Sequence, residues 1–173
     1  SRILVLDLET IVPQEGQAVR VRMVGALRTD TGEELEETIS QSTTLSDVLS
    51  KLDRMAEGAD RVLGHNLLQH DLPVLRELCP DLKLFSLPVI DTLYLSPLAF
   101  PRNPYHRLIK DYKLISDSRS SPLADCHAAV ELLSDQREAF SQLSESKPDE
   151  MTCYQALTGV RPASGASELL SEI

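Results

Sequence analysis

Two carboxylates lie two residues apart at the end of an apolar strand pattern near the start of this 173-residue chain. Residues 3–6 are Ile, Leu, Val and Leu, and Asp7 and Glu9 follow with one leucine between them. Because side chains alternate along a strand, both acids face the same side of the sheet. Carboxylates on one face of a buried strand repel each other and lose hydration, and a divalent cation between them removes these costs. The pattern therefore predicts half of a metal site and calls for further acids elsewhere.

Two later segments can supply those acids. Asp71 ends a Gly-His-Asn-x4-Asp segment that begins at Gly64, and Asp125 opens an alanine-rich helical pattern. The order of the three blocks, with Asp91-Thr92-Leu93 between the last two, resembles the DEDD (DnaQ-like) superfamily of 3′–5′ exonucleases. The resemblance spans roughly residues 2–140.

The resemblance implies a metal-dependent 3′–5′ exonuclease domain that acts on single-stranded DNA or RNA 3′ ends. In that superfamily, four acids bind two divalent ions; one ion helps to generate hydroxide and the other stabilises the leaving 3′ oxygen. Hard oxygen ligands suit Mg²⁺ or Mn²⁺. The four ligands map onto Asp7, Glu9, Asp71 and Asp125.

Several residues near the four candidate metal ligands have a structural role as an alternative to a functional one. We expect His65 and Asn66 to shape the turn into the next helix, His70 to pack rather than bind metal, and Asp91 to cap its helix. Thr10 is expected to stabilise the end of the strand, although in the superfamily the backbone just after Asp-x-Glu contacts the terminal nucleotide. The substrate-binding candidates are Thr10, Asn66, Arg102, Arg107 and Lys110.

The usual general base of the superfamily is missing. Its members carry histidine five residues, or tyrosine four residues, before the last aspartate, and this chain has Ser120 and Ser121 there. A serine hydroxyl cannot act as the base that a histidine near pH 7 can. The substitutes in principle are His106, Tyr112 and His127. His127 lies about 200° around the helix from Asp125, so His106, in a proline-bounded loop, is the preferred catalytic candidate.

The net charge of −10 argues against a simple nucleic-acid binder, because phosphate binding usually needs a basic surface. One segment is basic, and it is either a solvated surface or a phosphate-contacting rim. Its cationic and histidine residues are Arg102, His106, Arg107, Lys110, Lys113 and Arg119.

The stretch 95–114 also resembles the exonuclease-like region that some bacteria join to a RecQ-type helicase polypeptide. A helicase domain in the same polypeptide would supply the grip on DNA that an acidic domain lacks. The rival hypothesis is a catalytically silent exonuclease-like module that docks proteins or positions nucleic acid. The intact set of acids favours the enzyme, and Ser120 with the acidic charge favours the rival.

Apolar patterns and turn signals predict a mixed α/β, ribonuclease-H-like sheet flanked by helices. Three antiparallel strands are predicted at 2–7, 19–29 and 35–39, and a strand at 61–65 runs parallel to the first. A helix capped by Thr44 or Ser46 is predicted through about residue 56. Further helices are predicted at 72–78, from 91 with breaks at Pro97 and Pro101, and at 123–143.

We predict an exonuclease-like domain over residues 1–145. Residues 146–173 are predicted as a helical extension followed by a linker toward a further domain. No apolar run approaches the roughly 20 residues of a membrane span, so no membrane partner is expected. Three scattered cysteines are typical of a reducing compartment, which predicts a cytoplasmic location.

Overall fold

A computed structural model describes residues 1–11, 18–106, 121–159 and 164–173, and the strands in these ranges form one five-stranded sheet. The order across the sheet is β3-β2-β1-β4-β5. β1 pairs antiparallel with β2, which pairs antiparallel with β3, whereas β1–β4 and β4–β5 are parallel. The strands are β1 Ile3–Ile11, β2 Arg20–Arg28, β3 Glu34–Thr38, β4 Arg61–Gly64 and β5 Val89–Asp91. The predicted mixed α/β class is confirmed, and this sheet is compatible with a ribonuclease-H-like fold.

Helices cover both faces of the sheet. The described helices are α1 Leu45–Met55, a π-helical turn Leu67–Asp71, α2 Leu72–Leu78, a 3-10 turn Lys83–Ser86, α3 Thr92–Ala99, α4 Pro122–Ser146, α5 Pro148–Thr158 and α6 Ser164–Ser171. One core contains residues of α1 and α2, and the other contains residues of α3 to α6. None of the helices in the described ranges is long and apolar enough to cross a membrane.

The alternation of β1 decides which face of the sheet receives the acids. Leu4 and Leu6 belong to the core under α1 and α2, whereas Ile3 and Val5 belong to the core under α3 to α6. Asp7 continues the second series, because side chains two apart on a strand share a face. The strand therefore directs its carboxylates toward the face that α4 covers.

One strand was not predicted, and one local prediction is wrong. β5 contains only three residues, Val89–Asp91, and the sequence pattern did not reveal it. The predicted helix break at Pro97 is wrong, since Pro97 lies inside α3. A proline within a helix removes one backbone hydrogen bond, and α3 ends two residues later at Ala99, which limits the damage.

The C-terminal segment forms two helices rather than one helix and a linker. Leu169 and Leu170 on α6 are fully buried in the second core. Arg61 at the start of β4 forms ion pairs with Glu168 at 3.2 Å and with Glu172 at 2.5 Å. α6 is therefore fixed to the sheet by apolar packing and charge, while the proposed boundary at residue 145 stays a prediction.

A close backbone contact places the start of α4 on β2. A Cβ at Gly25 would lie 2.4 Å from the Pro122 carbonyl carbon and 2.5 Å from the Leu123 nitrogen. Gly25 is also the residue that pairs with Asp7 across β1 and β2. The absence of a side chain at Gly25 thus lets the first turn of α4 approach the strand beside Asp7, and Asp125 follows on that turn.

We expect Gly25→Ala to lower the free energy of unfolding by about 1–3 kcal/mol, because backbone atoms cannot move aside as a flexible side chain can. Urea unfolding followed by circular dichroism measures this. Gly159→Ala is the matched control, since its nearest atoms to a new Cβ lie at 3.5 Å, an ordinary contact. Equal effects of the two substitutions would contradict the tight packing at Gly25.

Candidate functional site

Acids from β1, the π-helical turn and α4 line one cavity at the carboxyl end of β1. Its volume is about 350 Å³. The described residues that line it are Asp7, Leu8, Glu9, His65, Asn66, His70, Asp71 and Asp125. The structure therefore brings together all four acids that the sequence singled out, although Asp7 and Asp125 are 118 positions apart in the sequence.

Asp71 is held against β1 by a buried hydrogen bond. The Leu8 backbone N–H donates to Asp71 Oδ1 at 2.8 Å, and Leu8 lies between Asp7 and Glu9. The Asp71 residue is only 2% exposed. Burial raises the pKa of Asp71, and the neighbouring His70 and the Leu8 N–H oppose that rise. This carboxylate thus depends on its few partners, as a buried charge must.

A second buried acid shapes the turn that precedes Asp71. Asp91 accepts hydrogen bonds from the backbone N–H groups of Asn66, Leu68 and Leu93, at 2.9, 2.9 and 3.0 Å. Asn66 has a left-handed backbone with φ of 66°, which asparagine adopts more readily than most residues. The expected roles of Asp91 as a helix cap and of Asn66 in the turn are confirmed.

Two histidines border the cavity with different partners. His65 Nδ1 lies 2.8 Å from Thr92 Oγ1, and burial lowers the pKa of His65. His70 Nε2 lies 3.3 Å from Thr10 Oγ1, and its Nδ1 lies 3.5 Å from Asp71 Oδ1. The contact with Asp71 raises the pKa of His70. His70 therefore connects the end of β1 to the buried carboxylate.

Glu9 has a cationic neighbour that the sequence analysis missed. Arg22 Nη1 on β2 donates to Glu9 Oε1 at 3.3 Å. The other oxygen, Oε2, is buried and has no hydrogen-bond partner among the described residues. Glu9 therefore has one oxygen paired with a guanidinium and one oxygen still needing a partner.

Ser121, at the superfamily's tyrosine position, caps α4. Ser121 Oγ accepts a hydrogen bond from the Ala124 N–H at 3.2 Å and also bonds Glu36 on β3. Its hydroxyl is therefore engaged as a helix cap. Asp125 lies in the first turn of α4, where the helix dipole favours a carboxylate. His127 lies 2.8 Å from Glu34 on β3, which agrees with its rejection as a base.

The donor set of the cavity suits a hard divalent cation in chemistry but is not assembled as a ligand set. The four acids offer oxygen ligands of the kind Mg²⁺ and Mn²⁺ prefer. The buried, unsatisfied Oε2 of Glu9 is a position where such an ion would supply the missing partner. In the described part of the chain, however, no three histidine, cysteine, aspartate or glutamate side chains are close enough together to hold a metal as they stand.

The remaining predicted site residues lie outside the cavity or outside the described ranges. Thr10 reaches the site through His70. His106 is not among the described residues lining the cavity, and its Nδ1 is buried without a hydrogen-bond partner in the described ranges. Arg102 is exposed. Arg107, Lys110, Tyr112 and Ser120 lie outside the described residues.

No protein-family model and no curated protein matches the chain. Among solved structures, it is similar to the family B DNA polymerase from the hyperthermophilic archaeon Pyrobaculum calidifontis. That match covers 96% of this chain and 27% of the polymerase chain, with 15% identity and a TM-score of 0.47. A likeness this distant does not indicate a function, so the function is inferred from the residues that line the cavity.

We expect the two cavity histidines to titrate on opposite sides of the ordinary histidine pKa, about 6.5, in the metal-free protein. The lowered pKa of His65 means that its contribution to stability is present above about pH 6.5 and is lost as the pH falls below it. The raised pKa of His70 means that its contribution is present below about pH 6.5 and is lost as the pH rises through the folded value. NMR titration of the imidazole resonances measures both, and the reverse order would contradict the described contacts.

Proposed function

We propose that this chain is a divalent-cation-dependent 3′–5′ exonuclease domain that hydrolyses phosphodiester bonds at single-stranded nucleic-acid ends. The observation that carries the proposal is that Asp7, Glu9, Asp71 and Asp125 line one cavity. Their order along the chain resembles that of the four metal ligands of the DEDD exonucleases. A cluster of four acids has no evident structural use, because like charges destabilise one another unless a cation joins them.

The chemistry follows from the donor set. Asp7, Glu9, Asp71 and Asp125 would hold Mg²⁺ or Mn²⁺. When bound, such ions polarise the phosphoryl group, lower the pKa of a water molecule and stabilise the leaving oxygen. The Leu8 N–H holds Asp71 against β1 by a hydrogen bond to Oδ1 at 2.8 Å. The Asn66 turn, anchored on Asp91, precedes the segment that carries Asp71. Asn66 itself lines the cavity and is the proposed contact for the terminal nucleotide.

Serines occupy both positions at which the superfamily carries its general base. Ser121 is engaged as a helix cap, and a serine also occupies the histidine position of the superfamily, at 120. His106 is the proposed replacement, because it precedes the segment that leads into α4 and its Nδ1 has no partner in the described ranges. A base is typically worth 10²- to 10⁴-fold in rate, so a domain without one would be slow.

A second candidate function is a catalytically silent module that positions nucleic acid or docks proteins. The observation that favours it is the lack of a ready-made ligand set among the described residues. The proposed partner in that case is a helicase domain in the same polypeptide, with single-stranded DNA or RNA passed between them. The two candidates differ in metal binding and turnover, which the next two experiments separate.

We expect millimolar Mn²⁺ to raise the melting temperature, because an ion that binds only the folded state stabilises it by mass action. Asp7→Asn should remove most of that rise, since it removes a carboxylate of the cavity. Asp135→Asn is the matched control, because Asp135 is an exposed acid on the same helix as Asp125. Differential scanning fluorimetry measures the shift, and a wild-type protein indifferent to Mn²⁺ would contradict the proposed site.

For turnover, we expect His106→Ala to slow release of the terminal nucleotide by about 10²-fold while the Mn²⁺-induced rise in melting temperature is retained. Ser120→His returns an imidazole to the superfamily position and should raise the rate. Both are measured with labelled single-stranded DNA and RNA in Mn²⁺. If wild type and Ser120→His are both inert, the enzyme proposal fails and the silent module replaces it.

A further inference from the structure

The pairing of β1 with β2 slips by one residue beside Glu9. Glu9 lies opposite Met23 and Thr10 lies opposite Val21, so Arg22 is the extra residue on β2. In regular alternation, Arg22 would face away from Met23 and Glu9. A β-bulge re-aims the extra side chain, and bulges are common beside active sites. The bulge therefore brings the guanidinium of Arg22 to the carboxylate of Glu9, where the two groups lie 3.3 Å apart.

The contact occupies only part of both groups. Arg22 uses Nη1 on Glu9 Oε1, while Glu9 Oε2 is buried without a hydrogen-bond partner in the described ranges. The side chains of Arg22 and Glu9 are 30% and 25% exposed, so the pair lies at the edge of the cavity rather than in the core. A single long hydrogen bond at such a position is weak enough to be exchanged.

A divalent cation and Arg22 compete for the same carboxylate. Arg22 would be repelled by an ion bound at the unpartnered Oε2 of Glu9, and its guanidinium would leave Oε1. The released guanidinium would then need an anionic partner at the edge of the cavity. Its planar fork of donors matches two oxygens of a phosphate group. In a chain of net charge −10, a cation at the edge of the cavity would offset part of the charge that a nucleic acid brings.

Building on the proposed function, we infer that Arg22 exchanges partners. In the metal-free protein it holds Glu9, and in the metal-loaded protein it contacts a phosphate of the bound single strand. Arg22 is thus a positioning residue for Glu9 first and a substrate contact second. This exchange also accounts for the finding that the acids share a cavity without forming a ready ligand set.

Mn²⁺ titration by calorimetry tests the first half of the exchange. Arg22→Met should bind Mn²⁺ about two- to fivefold more tightly than wild type, because a competitor worth no more than an exposed ion pair has been removed. Arg20→Met is the matched control: Arg20 is exposed on the same strand, and loss of a screened surface charge should leave the affinity nearly unchanged.

Binding of a labelled single strand with a phosphorothioate 3′ end, which resists hydrolysis, tests the second half. In Mn²⁺, Arg22→Met should weaken binding of the single strand several-fold. The slope of log affinity against log salt concentration should fall by the amount expected for about one lost phosphate contact. Arg22→Lys keeps the charge without the fork and should recover part of the affinity. Unfolding curves for both variants confirm that they are folded.

The outcomes separate this inference from the proposed function. If wild type binds Mn²⁺ and Arg22→Met binds it equally or more weakly, Arg22 merely supports Glu9, and the inference fails while the metal site stands. Tighter Mn²⁺ binding with unchanged oligonucleotide affinity also overturns it, because the phosphate contact is then absent. If neither wild type nor any variant binds Mn²⁺, both the inference and the proposed function fail.

Discussion

One buried hydrogen bond, from the Leu8 backbone N–H to Asp71, joins the parts of the candidate site. It links residues 63 positions apart at 2.8 Å. Because Leu8 lies between Asp7 and Glu9, the bond fixes where the third carboxylate meets the first two. A hydrogen bond to a charged group contributes about 1.5–3 kcal/mol, and its loss would leave a buried charge without that partner. The turn at Asn66, held by Asp91, is the support that makes this bond possible.

In the metal-free protein, a cationic side chain, a histidine and a helix N-terminus partly offset the negative charge of the clustered acids. Arg22 pairs with Glu9, His70 lies beside Asp71, and the N-terminus of α4 favours Asp125. Each of these partners is weaker than a divalent cation shared among the carboxylates would be. Repulsion among these acids lowers the stability of the metal-free protein, and a bound divalent cation would raise it. The stability of the domain would therefore depend on the metal that its proposed chemistry requires.

Local patterns in the sequence predicted most of this arrangement, and contacts between distant segments account for what they missed. Asp7 and Glu9 follow directly from strand alternation, and the helix around Asp125 from its apolar pattern. Arg22 was missed because a strand bulge is a property of pairing, which no single strand reveals. β5 was missed because a strand of three residues is too short to show a periodic pattern. The burial of α6 was missed because it depends on packing against β5, where a Cβ at Gly165 would lie 2.8 Å from the Val89 backbone.

A crystal structure of the protein grown with Mn²⁺, with data collected at the manganese absorption edge, would show directly whether the four acids bind a divalent cation. We predict an anomalous peak inside the cavity, with carboxylate oxygens of Asp7, Glu9, Asp71 or Asp125 at roughly 2.1–2.3 Å. We also predict that Arg22 no longer contacts Glu9 in that structure. A cavity without manganese at a concentration that saturates known two-metal nucleases would contradict the claim that these acids form a metal site.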